Sequence, residues 1–435
     1  MTNGLMGWGR YPRTPQAGRE IAWIDEIPLA LKERAKPTLA YGNGRSYGDS
    51  CLAVSGEVLH MKTLDRMMSV DWTTGIIRAE AGVTLGEILQ LSVPKGWFLP
   101  VSPGTKFVTL GGAVANDVHG KNHHRKGTFG RHVCAFALQR SDANLVTCSA
   151  TENAELFRAT VGGLGLTGII AWVELQLMPV KSAAVDTLTV RFNDLASFFD
   201  LSSRFDATHE YGVAWIDCLA RGKNLGRGIY IAAEHAGVHT AASPPRHNLR
   251  VPFDPLVPIV NGLTTRMFNP LHWRMAPARE QSRTVHHEPY FHPLDRIHDW
   301  NRLYGRRGFQ QFQCVIPDAK AETGIAALLQ AVAGSGRASF LTVLKRCGDI
   351  SSPGLLSFPV RGISLAIDFP QSARLETGLL PELDRIVHEN DGRLYPAKDA
   401  HMTAKHFQAA YPAWRNVERL RDPALMSAFW KRVTA

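Results

Sequence analysis

Val101-Ser-Pro-Gly-Thr-Lys-Phe-Val-Thr-Leu-Gly-Gly-Ala-Val-Ala-Asn-Asp-Val-His-Gly-Lys-Asn-His-His124 gathers glycines, hydroxyls and basic side chains into a segment too irregular for one helix. Gly104 and the pair Gly111-Gly112 permit positive φ or close approach to a ligand, so successive N–H groups can face phosphate or carbonyl oxygens. Thr105 and Thr109 add hydroxyls. Two more glycine-rich stretches flank it, Ala40-Tyr-Gly-Asn-Gly-Arg-Ser-Tyr-Gly-Asp49 and Val161-Gly-Gly-Leu-Gly-Leu-Thr-Gly-Ile-Ile170. Three such loops in one N-terminal region point to one large phosphorylated cofactor.

The third loop contains Gly163-Leu-Gly-Leu-Thr-Gly168, a formal GxGxxG. A dinucleotide fingerprint needs a strand before the glycines and a helix after them. Here Asn153-Ala-Glu-Leu-Phe-Arg-Ala-Thr-Val161 reads as a helix, and Ile169-Ile-Ala-Trp-Val-Glu-Leu-Gln-Leu177 alternates like a strand. The order is reversed, which excludes a Rossmann-type site.

The balance of 49 Lys+Arg against 39 Asp+Glu gives a net charge of +10, favouring anionic partners. The basic residues are dispersed and form no stripe with interleaved aromatics, so no nucleic-acid partner is expected. Cys51, Cys134, Cys148, Cys218, Cys314 and Cys347 show neither CxxC nor regular spacing, which points away from zinc and disulfides and toward a reducing compartment. His119 and His123 are spaced i, i+4, but Gly120 lies between them and no glutamate is near, so no metal is expected. No apolar run reaches about 18 residues and no signal peptide is recognisable, so the expectation is a cytoplasmic protein or one peripheral to the inner membrane.

In chain order, strands are expected over 58–61 and 76–81, a helix over 84–91 capped by Thr84, and paired strands over 135–138 and 144–147 across Ser141-Asp-Ala143. Beyond Pro179, strand-like runs at 186–192, 212–217, 311–316, 340–345 and 363–369 surround a helical stretch at 321–333. They imply a second, largely antiparallel domain. Within it, residues 235–280 hold seven prolines between Pro244 and Pro277, with Arg246, Arg250, Arg266, Arg274 and Arg279 interleaved among Phe253, Leu256, Phe268 and Trp273. This stretch is expected to resist regular packing, either as a variable insertion or as a mobile lid meeting an anionic, partly apolar surface. Helices are expected at 401–410 and 423–432, after the basic turn Gly392-Arg-Leu-Tyr-Pro-Ala-Lys-Asp399.

These loops and the tail together resemble the FAD-binding oxidoreductases of the vanillyl-alcohol-oxidase type, and within them the branch acting on polyprenylphosphoryl ribose. The likeness runs nearly end to end. It is carried by Gly44-Arg-Ser-Tyr-Gly-Asp49, Pro103-Gly-Thr105, Gly111-Gly112, His119-Gly-Lys-Asn-His-His124, Ala154-Glu-Leu-Phe157, Gly165-Leu-Thr-Gly-Ile-Ile170, Phe291-His-Pro-Leu-Asp295, Trp300-Asn301, Gln311-Phe-Gln313, Val315-Ile-Pro317 and Ala397-Lys-Asp399. The resemblance implies an α+β fold with a PCMH-type FAD-binding domain of two α+β subdomains at 1–180. A substrate domain with a largely antiparallel sheet would follow at 181–390, carrying a mobile insertion at about 236–280, and residues 391–435 would return to the FAD domain. Members with covalent flavin place a histidine where Arg45 stands, so FAD is expected without a covalent bond.

Carried over residue by residue, the resemblance assigns cofactor contacts to Tyr41, Gly42, Asn43, Gly44, Arg45, Ser46, Tyr47, Gly48, Gly104, Thr105, Thr109, Gly111, Gly112, Asn116, Asp117, His119, Ile170, Tyr395 and Lys398. It assigns substrate contacts to Lys121, Tyr304, Gln311, Gln313 and Lys345, and catalysis to Lys398, His119 and Tyr47. Oxidation of a secondary alcohol needs a hydride acceptor and a group that takes the hydroxyl proton. Lys398 suits the second task if burial or neighbouring cations bring its pKa down from roughly 10.4. Some members of the branch carry a cysteine where this chain has Ala366, so that thiol is not part of the chemistry expected here.

The implied reaction is oxidation of polyprenylphosphoryl-β-D-ribofuranose to its 2-keto form, the first half of an epimerisation to the arabinose form for cell-envelope glycans. Its implied partners are a short-chain reductase, a quinone-like electron acceptor and an anionic membrane surface. A soluble polyol or aldonolactone oxidase and a non-catalytic flavin-binding scaffold are the competing readings. The joint presence of Lys345, Gln313 and Lys398 speaks against the scaffold.

Overall fold

The strand Ile169–Gln176 pairs antiparallel with Val133–Gln139 on one side and Ile76–Glu80 on the other, at the centre of a five-stranded antiparallel sheet. Every second residue of its later half is buried, as the alternation predicts. The helix Ala154–Thr160 precedes it, and between the two the chain reverses through Gly162, Leu164 and Gly165, all at positive φ. A Cβ on Gly163 would lie 2.0 Å from the Ala159 carbonyl oxygen. These glycines therefore make a helix-to-strand hairpin rather than a phosphate-binding turn opening a helix.

A computed structural model describes residues 2–34, 36–142, 144–238, 249–255 and 258–435. Ala143 of the expected turn, and Pro244, Arg246 and Leu256 of the proline-rich stretch, lie outside these described residues. A four-stranded sheet with two parallel pairings, formed by Thr2–Leu5, Gln16–Glu20, Glu57–His60 and Ala40–Tyr41, precedes the five-stranded one. The helix Leu85–Ser92 begins at Thr84 with a full capping box, the Thr84 hydroxyl accepting from the Glu87 N–H and the Glu87 carboxylate from the Thr84 N–H.

An eight-stranded, wholly antiparallel sheet forms most of the remainder, in the spatial order Gln281–Val285, Val185–Phe192, Gly228–His235, Tyr211–Ile216, Thr342–Cys347, Gly362–Pro370, Phe309–Pro317, Arg393–Leu394. One face buries Ala214, Ile216, Leu344, Leu365, Ile367, Phe312 and Cys314 in the main core against the helices Leu195–Asp206 and Ala321–Ser335. The alternate residues face the other way, and that side carries the site described below.

The chain departs from expectation in two places. Within the proline-rich stretch, a 14-residue helix runs Gly262–Met275 despite Pro270. Asn261 caps it, its side chain accepting from the N–H groups of Leu263 and Thr264 while the Thr264 hydroxyl accepts from the Asn261 N–H. Buried Asn269 ties it to the sheet by donating to Asp217. This tertiary anchor compensates for the hydrogen bond that proline cannot donate. At the C-terminus the two expected helices form as Ala404–Ala410 and Ala428–Thr434, starting later than expected, with an unexpected helix Trp414–Leu420 between them. The buried Asp399 carboxylate accepts the Met402 N–H, and residues 422–427 form bridges to Thr38 and Ala53, so neither segment can wind earlier.

The tail joins both sheets. Arg393–Leu394 pairs with Phe309–Pro317, the Tyr47 N–H donates to the Ala397 carbonyl at 2.9 Å, and Arg432 bridges the Asp49 and Asp399 carboxylates at 2.8 and 2.9 Å.

Candidate active site

Between the glycine loops and the open face of the large sheet lies a cavity of about 830 Å³. Of the expected site residues, Gly42, Asn43, Gly44, Arg45, Ser46, Tyr47, Gly104, Thr105, Thr109, Gly111, Gly112, Asn116, His119, Lys121, Ile170, Tyr304, Gln311, Gln313, Lys345, Tyr395 and Lys398 all line it.

Three do not. The Tyr41 side chain turns into the core and donates to the Met6 carbonyl at 2.7 Å. Gly48 wedges against the tail, where a Cβ would come within 1.7 Å of the Asp399 carbonyl oxygen. The Asp117 carboxylate is fully buried behind the wall and accepts from Gly130 N–H, Ser352 and Ser357. Their motif positions are shared with cavity residues, but the Tyr41 and Asp117 side chains and the Gly48 backbone serve the scaffold.

At the loop end, the glycine pair acts differently from the expectation. The Gly111 N–H is taken by the Ala81 carbonyl at 2.9 Å and the Gly112 N–H by the Thr109 hydroxyl oxygen at 3.3 Å. Their value is closeness: a Cβ on Gly111 would stand 2.8 Å from the Ala81 Cβ, and one on Gly42 2.3 Å from Thr109 Oγ1. Thr109 and Thr105 accept backbone N–H bonds, and the Thr105 hydroxyl is also engaged by the Asp295 carboxylate, whereas the Thr109 O–H proton stays available. The Arg45 guanidinium lies over the Trp8 ring at 4.0 Å and the Phe107 ring at 5.0 Å, with no ion pair among the described residues. Burial draws its pKa down and Asp295 works against that effect.

The opposite end is set by strand register. Gln313 faces Ala366, Gln311 faces Asp368, Lys345 faces Ser364 and Val343 faces Ala366, so all these residues project from one side of the sheet. The Lys345 ammonium donates to His119 Nδ1 and, at 3.3 Å, to the Gly120 carbonyl. On the other side of the ring, the Gln313 amide nitrogen stands 3.3 Å from His119 Nε2 and donates to the Ser364 hydroxyl at 3.4 Å. Burial, Lys345, His123 and Lys398 together hold His119 well below the ordinary imidazole range, so it stays neutral. Burial lowers Lys345 to about 8, and burial with Lys345 lowers Lys121 to about 7. Lys121 is held by the Tyr290 carbonyl and lies 4.2 Å from the Tyr290 ring centre.

Lys398 comes from the tail and places its amine 3.5 Å over the Tyr47 ring. Burial lowers its pKa and so does Lys345, against the pull of Asp368. Asp368 in turn is raised by burial, while it accepts from Gln311 at 2.6 Å. The two groups titrate as a pair. Asp368 was missed in the sequence, although a lone carboxylate in the apolar run Gly362-Ile-Ser-Leu-Ala-Ile-Asp-Phe369 was a signal. Trp8 and Asp295 were also missed. His123 Nδ1 accepts the Gly348 N–H at 3.1 Å, and no group of three or more His, Cys, Asp or Glu among the described residues is placed to hold a metal ion.

Away from the lysines, the same side of the sheet becomes apolar through Val343, Trp215, Val213 and Ile231. Phe340, Phe268 and Leu303 continue that lining. The cavity thus joins a cationic, hydrogen-bonding centre to a greasy arm.

Residues 22–149 match the family model described as FAD binding domain. The chain is 34 % identical to decaprenylphosphoryl-beta-D-ribose oxidase of Mycolicibacterium smegmatis, over 97 % of its own length and 95 % of that protein. It is 26 % identical to L-gulonolactone oxidase of Mus musculus over 47 % of each chain, and 30 % identical to Delta(24)-sterol reductase of Homo sapiens over 34 % of this chain and 28 % of that one.

The loop end fits FAD on its own chemistry. Arg45 Nε and Ser50 Oγ are buried at the cavity wall without hydrogen-bond partners among the described residues. Gly104 fronts open cavity, with nothing within 4 Å of where a Cβ would stand. An unpaired guanidinium, free hydroxyls and a side-chain-free wall suit a phosphorylated dinucleotide. The chain is an FAD-dependent oxidoreductase and belongs to the decaprenylphosphoryl-β-D-ribose oxidase family.

Proposed function

We propose that this enzyme oxidises the 2-hydroxyl of a polyprenylphosphoryl-β-D-ribofuranose to the 2-keto intermediate, and that a separate short-chain reductase completes epimerisation to the arabinose form. The observation that carries this reading is the union, in one cavity, of Lys398, Lys345, Lys121, Gln311 and Gln313 with the apolar arm past Trp215. A sugar phosphate suits the first part and a polyprenyl chain the second.

When bound, FAD supplies the hydride acceptor. The protein's own task is the hydroxyl proton. Lys398, with its pKa lowered by burial, presents a neutral amine that takes that proton, and the Asp368 carboxyl beside it shares the resulting charge. Gln311, fixed by its bond to Asp368, and Gln313, fixed against His119, orient the ring hydroxyls. Lys345 and Lys121 regain full charge beside an anionic phosphate, which favours their protonated forms. Electrons leave to a quinone-like acceptor, and work at the inner membrane follows from a substrate whose tail stays in lipid.

Anaerobic reduction of the bound flavin by a short-chain polyprenylphosphoryl ribofuranose tests the assignment. Rapid bleaching is expected with this sugar and none with free polyols or aldonolactones. Bleaching by a lactone alone would replace it with the soluble-oxidase reading, which the likeness to L-gulonolactone oxidase favours. Acid precipitation should release the flavin into the supernatant, because Arg45 offers no covalent tether.

A further inference from the structure

The helix Gly262–Met275 is built inside out. Its buried face presents Thr265 and Asn269, whereas Leu263, Met267, Leu271 and Met275, spaced four residues apart, are 70, 70, 57 and 76 % exposed. A helix on a water-facing surface shows the opposite arrangement, polar outward and apolar inward. Ile259 and Phe253 extend the apolar surface at 49 and 70 % exposure. A contiguous patch of this kind marks an interaction site rather than scattered surface leucines.

The charges around the patch define its partner. Arg266 and Arg274 lie on the same exposed face and Arg279 follows the helix, and none of the three has an ion pair among the described residues. No Asp or Glu occurs between Asp254 and Glu280, and those two are already paired with Arg10 and Arg204. A protein partner would have to supply both an apolar groove and an acidic rim, whereas an anionic leaflet offers both by composition. The helix also belongs to the cavity, since Phe268 and His272 line the apolar arm from its inner side.

The contacts correct the sequence expectation for this region. Trp273 is not a lipid anchor, because its indole N–H donates to the Phe192 carbonyl at 2.9 Å and its ring lies beneath Arg191 and Arg227. Phe268 packs on Phe340 and faces the cavity. The residues left to meet lipid are Leu263, Met267, Leu271 and Met275 of the helix, with Phe253 and Ile259 beside it.

From this inverted helix we infer that the protein docks on an anionic lipid leaflet by laying residues 262–275 in the interface, with Leu263, Met267, Leu271 and Met275 among the acyl chains and Arg266, Arg274 and Arg279 at the headgroups. The inference deepens the proposed function and rests on its polyprenyl substrate, because the same helix would then bring the apolar arm of the cavity to the membrane surface.

Sedimentation of the FAD-loaded full-length protein with vesicles of phosphatidylglycerol in phosphatidylcholine, against phosphatidylcholine alone, tests it. Wild type is expected to bind the anionic vesicles and to be released by salt. Replacing Leu263, Met267, Leu271 and Met275 together by serine should weaken binding by roughly a hundredfold or more. Replacing Arg266, Arg274 and Arg279 by glutamine should weaken it by roughly a hundredfold and remove the salt dependence. Both variants should oxidise a short-chain water-soluble substrate like wild type. A Leu271→Trp protein should blue-shift its emission on anionic vesicles and be quenched by brominated lipid.

Vesicle binding by the serine variant equal to wild type would overturn the inference. So would a wild type that stays in solution, or a dimer in lipid-free buffer that the serine variant breaks into monomers. Binding of wild type without oxidation of the short-chain sugar would uphold the docking face and remove the substrate reading instead.

Discussion

The cofactor cradle takes its parts mainly from residues 40–50 and 101–124, joined by Gly165, Gly168 and Ile170 of the third loop, while the lysine cluster draws Lys398 from the tail, Lys345 and Gln313 from two strands, and His119 from the central loop, with Asp368 of a third strand acting on Lys398. The cradle works mainly through missing side chains: glycines let Thr109 and Ala81 approach within contact distance. The cluster works through buried charge, with three lysines drawn toward neutrality because each loses water and two lie near Lys345. Backbone proximity is a local property, whereas a lowered pKa depends on everything packed around it.

The strongest way to break this contrast is at the joint between the two regions. Arg432→Met would leave Asp49 of the first loop and Asp399 of the tail buried without their shared cation. Removing one partner of such a cluster costs about 3 kcal/mol or more. The expected result is a large fall in midpoint on denaturant unfolding together with loss of bound flavin. An unchanged midpoint would mean that the tail is held elsewhere.

Lys398→Met should keep the yellow flavin and slow its reduction by substrate about a hundredfold or more. Wild-type reduction in stopped flow would take Lys398 out of the chemistry. Gly48→Ala and Gly104→Ala then separate scaffold from cradle. The first adds a methyl group 1.7 Å from the Asp399 carbonyl oxygen, an overpacking expected to cost about 1–3 kcal/mol. The second adds one where nothing lies within 4 Å, so stability should hold while FAD binds more weakly. Equal melting losses from both would erase the distinction.

The smallest effect concerns pH. Lys121 near 7 and Lys345 near 8 are charged in the free protein below those values. A phosphate-bearing ligand therefore binds without proton uptake at pH 6 and with uptake above pH 8. Its affinity should be flat at the lower end and weaken by up to about tenfold per pH unit per lysine at the upper end. Titration calorimetry in buffers of different ionisation enthalpy would show the uptake, and its absence at pH 8.5 would mean that neither lysine meets the phosphate.

The glycine loops, the reversed order around Gly163-Leu-Gly-Leu-Thr-Gly168 and the strands at 169–177 and 311–316 were legible in the sequence. Each is set by local backbone freedom or by an alternation that survives in any context. Arg45, Thr109 and Lys398 were legible as motif members. Which motif members face the cavity was not: Tyr41, Gly48 and Asp117 share motifs with lining residues yet turn into core, tail and scaffold, since one residue's step along a strand or turn reverses its side.

By itself the sequence determined a cofactor-cradling N-terminal half and an antiparallel second half, because turn chemistry and periodicity are short-range. Only the tertiary structure decided that Asp368 stands by Lys398, that Lys345 bonds His119, and that the helix Gly262–Met275 turns its aliphatic side outward. Strand register and burial bring together residues far apart in sequence, and the energy of a buried charge or an exposed methyl depends on those neighbours rather than on the residue itself.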